Sequence, residues 1–387
     1  MKDTSDSTSI DKALTALDNY VLLGKSGLRV SPLTLGTMGF GASNETSKKI
    51  FDAYYEKGGN FFDTANVYTN GDSERFLGEY ISNIRSQCVV ATKYSRMSTL
   101  SLRGSVQINP SFGEAYAGLT PSRNPNAGGN NRKNLMETLD GSLKRMGTGY
   151  VDVLYLHIWE YRTPIFEVMR ALDDVVRSGK VNYVAISDTP SWVISSANTM
   201  AELRGLTPFI GLQTRYNLIN RSLESDLQPM CANFGVGIIP WSILADGFLT
   251  GKHTRGQLDQ GSGRQAHVDV HTKNEKNWQI LDEVIAIAKE CNRTPAQVAI
   301  NWTLQRPGIT SPLIGARSMA QLEDNLGALE FKLSEEQMDR LNTVSNPKEW
   351  PFPNDLASSM AMFVGPGLNI ETPKKFHALR DLRTSTN

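Results

Sequence analysis

Asp63, Lys93 and His157 each follow directly on an apolar run, in NFFD, VVATK and VLYLH, and Tyr68 lies a few positions beyond Asp63 in DTANVYTNGDSE. A phenol titrates near pH 10, so it is a poor acid at neutrality unless a cation favours its phenolate. Lys93 provides such a cation. Asp63 can hold the ammonium against the cost of an unpaired buried charge, and the His157 imidazole can donate to a carbonyl oxygen or relay a proton. The set suits proton delivery to a carbonyl being reduced. Hydrolysis suits it less, because no pair of carboxylates occupies these positions and the sequence has no GxSxG turn. No side chain donates hydride, so reduction here requires a cofactor.

These residues meet only if the chain brings the ends of separate apolar runs together. SPLTLG, NFFDT, CVVATK, VDVLYLH, VNYVAIS, FIGLQT, GVGIIPW and SPLIGA make eight strand candidates. Helix-period segments alternate with them, for example Ile50, Ala53, Tyr54 and Lys57 in the first, and Leu135, Leu139, Leu143 and Met146 in the third. Strands rich in Val, Ile and Leu on both faces fit a parallel sheet buried on both sides. Eight βα units predict an α/β fold that closes as a (β/α)₈ TIM barrel, with an open doubly wound sheet as the alternative.

In such a barrel chemistry gathers at the C-terminal ends of the strands. The strands end in Asp63, Lys93, His157, Ser187 with Asp188, Gln213, Trp241 with Ser242, and Gly315. Residues 1–18 read as a loose polar arm, YVLLGKSGLRV as an N-terminal β-hairpin turning at Gly24 to Gly27, residues 19–346 as the barrel, and 347–387 as a tail that folds back over the mouth. Two insertions, 94–130 and 246–275, follow strands and are expected as long loops over the same face.

Composition narrows the class. Of 387 residues 40% are apolar and 21% charged, as in ordinary globular proteins, and 40 basic residues balance 40 acidic ones. Nothing in that balance calls for nucleic acid or an anionic membrane as partner. Cys88, Cys231 and Cys291 are far apart, which fits neither a disulfide framework nor a CxxC metal site. The polar N-terminus lacks a secretory apolar stretch and no run approaches a membrane span, so the expectation is a cytoplasmic protein. His253, His267 and His271 sit in the second insertion and read as solvated; no metal is assigned.

Nucleotide signals are sparse. There is no GxGxxG opening a first βα unit, no GxxxxGK[ST] and no HExxH, and GTMGFG has its glycines in a different register. In LIGARSMAQLEDNLGAL, however, a strand ends at Gly315 and a helix begins near Ser318, which places Arg317 at a helix N-terminus suited to phosphate.

From about residue 19 to residue 346 the chain resembles the aldo-keto reductases. GGNFFDTANVY is similar to that family's segment around the catalytic Asp and Tyr, VVATK to its Lys strand, VDVLYLH to its His strand, and SPLIGARSMAQLEDNL to its adenosine-phosphate segment. The resemblance implies Tyr68 as general acid, Lys93 and Asp63 tuning it, and His157 orienting the carbonyl. It implies NADPH/NADP⁺ as cofactor, with Gly36, Thr37 and Met38 beside the nicotinamide ribose, Ser187, Asp188 and Gln213 on the carboxamide, and Tyr216 stacked under the ring. Trp241, Ser242, Leu244, Ala245, Gly247 and Lys252 would strap the pyrophosphate. Gly315, Arg317, Gln321, Asp324 and Asn325 would take the adenosine end, with Arg317, and Arg264 from the insertion, on the 2′-phosphate.

The family usually carries Ser-Asn where this chain has Ser187-Asp188. An aspartate cannot donate to the carboxamide oxygen unless protonated, so orientation there would rest more on Gln213 and Ser187. SDTPSWV, GNN before the third helix and HIWEYRTPIFEVMRAL are similar to the fungal aryl-alcohol dehydrogenase branch, which includes reductases of aromatic polyketides such as norsolorinic acid. Phe40, Tyr94, Trp159, Trp350 and Phe352 are candidates for an aryl pocket or for packing. The expected activity is reduction of a small-molecule aldehyde or ketone to the alcohol. The alternative is an NADPH-binding regulatory subunit with little turnover.

Overall fold

The computed structural model describes residues 13–41, 43–96, 124–256, 265–347, 352 and 354–358. Each apolar run expected as a barrel strand forms one. After a hairpin of β1 (Val21–Leu22) and β2 (Arg29–Val30) come β3 (Thr34–Gly36), β4 (Phe61–Asp63), β5 (Val89–Tyr94), β6 (Val151–Leu156), β7 (Val181–Ser187), β8 (Phe209–Arg215), β9 (Gly237–Trp241) and β10 (Leu313–Ile314). These last eight form one sheet in the order β10-β3-β4-β5-β6-β7-β8-β9. Every pairing in it is parallel. The Thr310 N–H donates to the Ile238 carbonyl at 2.8 Å, and an Ile238–Ile309 bridge draws the two edges together. The sheet is therefore a (β/α)₈ barrel.

The helices begin where local chemistry starts them. α1 (Asn44–Glu56) is capped by Ser43, α2 (Asp72–Ile81) follows left-handed Gly71, and α3 (Arg132–Met146) is capped by Asn131. Prolines precede α4 (Ile165–Arg177) and α5 (Ser191–Arg204). α6 (Leu227–Phe234), α7 (Gln265–Thr272) and α8 (Glu275–Glu290) follow. Reciprocal capping boxes start α9 (Pro295–Leu304) at Thr294 and α11 (Glu335–Ser345) at Ser334, while Ser318 caps α10 (Met319–Leu326). Leu135, Leu139, Leu143 and Met146 all face the core, as the helix period predicts; of the first set, Ile50 and Tyr54 are buried, and Lys57 ends the helix as its C-cap.

The hairpin decides which end of the barrel stays open. Leu23 and Val30 pack with Phe61, Val89, Val153, Ile210 and Ile239 inside the barrel. Lys25 N–H bonds the Gly235 carbonyl at 2.7 Å, next to the start of β9. Gly24 is required there: its φ is +56°, and a Cβ would lie 2.2 Å from the Ile210 carbonyl oxygen. The N-terminal end is thus plugged, and only the ends from which Asp63, Lys93 and His157 emerge remain for chemistry.

Residues 1–12 of the expected arm, 97–123 and 257–264 of the two insertions, including Arg264, and most of the tail, including Trp350, lie outside the described residues. Among the described residues no helix is long and apolar enough to cross a membrane.

Candidate active site

Three neighbouring strands set the centre. Asp63 ends β4 and pairs in register with Ala91 of β5, two residues before Lys93, which lies opposite Tyr155 of β6. Asp63 and Lys93 are fully buried and form an ion pair through Nζ and Oδ1. Lys93 Nζ also donates to the Thr64 carbonyl at 2.8 Å, and Gln213 Nε2 donates to the other Asp63 oxygen at 2.9 Å. Every oxygen of the carboxylate therefore has a donor, the condition under which a buried pair is tolerated.

Tyr68 begins a 3-10 turn, Tyr68–Gly71, kinked by left-handed Thr69 and Asn70 and pinned by Thr69 Oγ1 donating to the Phe40 carbonyl at 2.6 Å. That turn places the phenol ring with its centroid 4.9 Å from Lys93 Nζ and 6.1 Å from the His157 ring, edge to face. Burial pushes the Tyr68 phenol up and Lys93 pulls it back, leaving a net rise. Burial would lower Lys93, but Asp63 and then Tyr68 hold it above its ordinary value, so it stays charged. Burial, with Lys93 beside it, holds His157 well below the usual imidazole range, and its Nδ1 has no hydrogen-bond partner. A neutral imidazole and a protonated phenol thus face the same opening, against a fixed cation.

A chain of buried hydroxyls drawn from three separate segments supports this centre. Ser73 Oγ of α2 lies 2.8 Å from Thr37 Oγ1 and 2.7 Å from Thr64 Oγ1, and Thr37 Oγ1 is 3.0 Å from the Asp63 carbonyl. It ties the exits of β3 and β4 to the helix that follows Tyr68.

The exits of β7 to β10 carry the remaining expected residues. Ser187 is buried opposite Gln213, and Asp188 stands exposed in the mouth with φ +40°. Its carboxylate Oδ1 accepts the Trp241 indole N–H at 3.1 Å. The Trp241 ring, half-buried at the end of β9, is covered by the Arg215 guanidinium at 4.6 Å. After it the chain runs through left-handed backbone at Ser242, Ala245, Asp246 and Gly247, with Lys252 lying along Gly247 and His271 bonded to Asp246. Leu244 is half-buried here. At the β10 exit Gly315 and Arg317 are exposed at the N-terminus of α10. Gln321 Oε1 accepts the Arg317 N–H, and Asn325 donates to the Gly315 carbonyl at 3.1 Å, so both shape the loop.

Several expectations are corrected by packing. Tyr216 does not reach the mouth: it is fully buried, its ring stacked on Trp302 at 5.4 Å and its phenol held by Glu224 at 2.5 Å and Arg306 at 3.1 Å. This network continues into α11, where Asn342 accepts from Arg221, Arg306 and Trp302. The Asp324 carboxylate accepts from Thr294 Oγ1 at 2.8 Å and is turned toward the start of α9. Met38 is 47% exposed. Phe40 packs on Tyr80 rather than lining a pocket, Tyr94 and Trp159 are buried, and Phe352 is exposed. His253, expected in solvent, is buried, whereas His271 is half-buried.

From β3 to β10 the mouth thus presents an exposed thioether and a phenol with its cation. Next come a half-buried indole, a turn of left-handed backbone with a lysine, and an arginine at a helix N-terminus. Groups of this kind could hold an aromatic ring and phosphates.

A model of the aldo/keto reductase family matches residues 32–346. The chain belongs to the aldo/keto reductase family. It is 37% identical over 343 residues to an aryl-alcohol dehydrogenase [NADP(+)] of Phanerodontia chrysosporium, covering 84% of this chain and 86% of that one. It is 33% identical over 344 residues to a norsolorinic acid reductase of Aspergillus flavus, covering 86% and 82%. With a putative aryl-alcohol dehydrogenase of Saccharomyces cerevisiae it shares 34% identity over 349 residues, 87% and 88% of the two chains. As an aldo/keto reductase the protein is an oxidoreductase of a family that acts on small carbonyl compounds.

Proposed function

We propose that this aldo/keto reductase uses NADPH to reduce an aldehyde or ketone to the alcohol, with Tyr68 supplying the proton. The names of its relatives point to aromatic carbonyls, including intermediates of polyketide and other secondary metabolism. The observation that carries the reading is the Tyr68 phenol held beside the buried Lys93–Asp63 pair, with neutral His157 across from it. Bound NADPH supplies the hydride. Its nicotinamide would lie near Met38, Ser187, Gln213 and the face of Trp241, which takes the platform role first read for Tyr216. Ser242 to Lys252 and Arg317 would hold the phosphates.

The residues divide the remaining work. His157 donates through its ring to the substrate oxygen and fixes the carbonyl. Tyr68 passes its phenolic proton to that oxygen as negative charge develops there, and Lys93 stabilises the phenolate left behind. Asp63 keeps Lys93 charged and in place, and is itself kept in place by Gln213. A protein that only bound the dinucleotide would have no use for a buried ion pair aimed at a phenol, which favours turnover over a regulatory role.

The test is NADPH oxidation with an aromatic aldehyde by the wild type and by Tyr68→Phe. Loss of the general acid should lower kcat by about 10²–10⁴ with cofactor affinity retained. An unchanged kcat would remove Tyr68 from this role.

A further inference from the structure

The position where this chain departs from its family's usual asparagine does more than shape a loop. Asp188 follows β7 with its backbone N–H on the Gln213 carbonyl at 3.1 Å, and its φ of +40° is a left-handed conformation uncommon for a residue with a Cβ. It is exposed to the mouth, unlike Asp63, which is buried and saturated by Lys93 and Gln213. Its carboxylate holds the indole N–H of Trp241, so the group that orients this aromatic surface also places a negative charge at its edge. Of the nearby cations, Lys93 is paired with Asp63, while Arg215 lies over the Trp241 ring, keeps its charge and is the same in wild type and in every Asp188 variant. Loss of hydration raises the Asp188 carboxyl pKa, while the indole N–H and Arg215 oppose that rise.

A nicotinamide ring is cationic when oxidised and neutral when reduced, while the remainder of the dinucleotide is the same in both. A fixed carboxylate beside the ring therefore distinguishes the two forms, whereas an amide does not. We propose that Asp188 biases the site toward the oxidised cofactor, holding Trp241 as the platform and attracting the cationic ring of NADP⁺ over the neutral ring of NADPH. The inference rests on the cofactor reading above and deepens it. By linkage, the same bias shifts the equilibrium between enzyme-bound NADPH and NADP⁺ toward the oxidised side.

The experiment compares equilibrium binding of NADP⁺ and NADPH to the full-length protein by calorimetry and tryptophan quenching, in wild type, Asp188→Asn and Asp188→Ala. Asparagine keeps an acceptor for the indole but removes the charge. It should weaken NADP⁺ relative to NADPH about tenfold, as expected for unit charges a few ångströms apart in a partly solvated dielectric, while the amide donor it adds for the carboxamide acts on both forms alike and leaves the ratio to report the charge. Alanine should show the same tenfold change in the ratio and weaken both forms further, because Trp241 loses its partner. In the wild type alone, the preference for NADP⁺ should shrink as salt is raised, since the two ligands differ there only in ring charge. A ratio within twofold of wild type in Asp188→Asn, or a salt-independent wild-type ratio, would overturn the inference while leaving the cofactor reading intact. Failure of the wild type to bind either form would overturn both.

Discussion

Replacing Lys93 by methionine removes the cation from the centre at nearly constant volume. Both Lys93 and Asp63 are excluded from solvent, with side-chain exposures of 0% and 1%. The substitution leaves Asp63 as a buried carboxylate whose only remaining side-chain donor is Gln213 at 2.9 Å, and it also leaves the Thr64 carbonyl without its ammonium. Breaking a buried pair from one side costs about 3–5 kcal/mol, a large share of the roughly 5–15 kcal/mol that holds most domains folded. Removing both charges, in Lys93→Met with Asp63→Asn, removes the stranded charge as well, and that protein should lie within about 2 kcal/mol of wild type. Urea unfolding of the four proteins gives the cycle directly. Catalysis adds an independent readout. Lys93 is the group that pulls the Tyr68 phenol down against burial, so without it alcohol oxidation, which needs the phenolate as base, should fall more than carbonyl reduction. A Lys93→Met protein losing under 1 kcal/mol, or a double variant losing the sum of the two singles, would refute this account of the pair.

Three further outcomes follow from the same geometry. Carbonyl reduction needs Tyr68 protonated, and burial raises its pKa above the ordinary 10.0, so the reduction rate should hold through mildly alkaline pH and fall only above that value. Alcohol oxidation should climb over the same range, and a pH–rate profile in both directions checks the sign. Trp241→Ala should weaken NADPH binding measured by fluorescence, while Tyr216→Phe should leave it unchanged and instead cost about 1–2 kcal/mol of stability in denaturant, because it loses hydrogen bonds to Glu224 and Arg306. Arg317→Gln should lower the preference for NADPH over NADH about tenfold in steady-state kinetics, the usual worth of one exposed charge-assisted contact.

The barrel was legible because buried parallel strands read as continuous apolar runs, and each of the eight runs forms a strand, although β5 and β8 continue past the expected exits at Lys93 and Gln213 to Tyr94 and Arg215. The Asp63, Lys93 and His157 positions were legible for the same reason: a polar residue directly after such a run can lie only at a strand exit. Tyr216 shows where that logic stops. Its distance from β8 allowed a ring in the mouth, but its orientation is set by Trp302 and Arg306, some 90 residues further along the chain. The Trp241–Asp188 bond spans 53 positions and the Ser73 hydroxyl chain joins three segments, so neither leaves a local pattern. His253 was misread because a polar, Gly-containing context says little about which side chain the loop folds inward.

The buried guanidinium groups of Arg221 and Arg306 reach α11 through the carbonyl and side chain of Asn342, at 2.8 Å in both cases. α11 is consequently a structural keystone rather than an appendage. Peeling it away would leave both buried guanidiniums, though still paired with Glu224, short of the Asn342 acceptors, so it should melt together with the barrel and exchange its amide protons only on global opening. Protease nicks or insertions placed between Phe331 and Leu341 should therefore abolish folding.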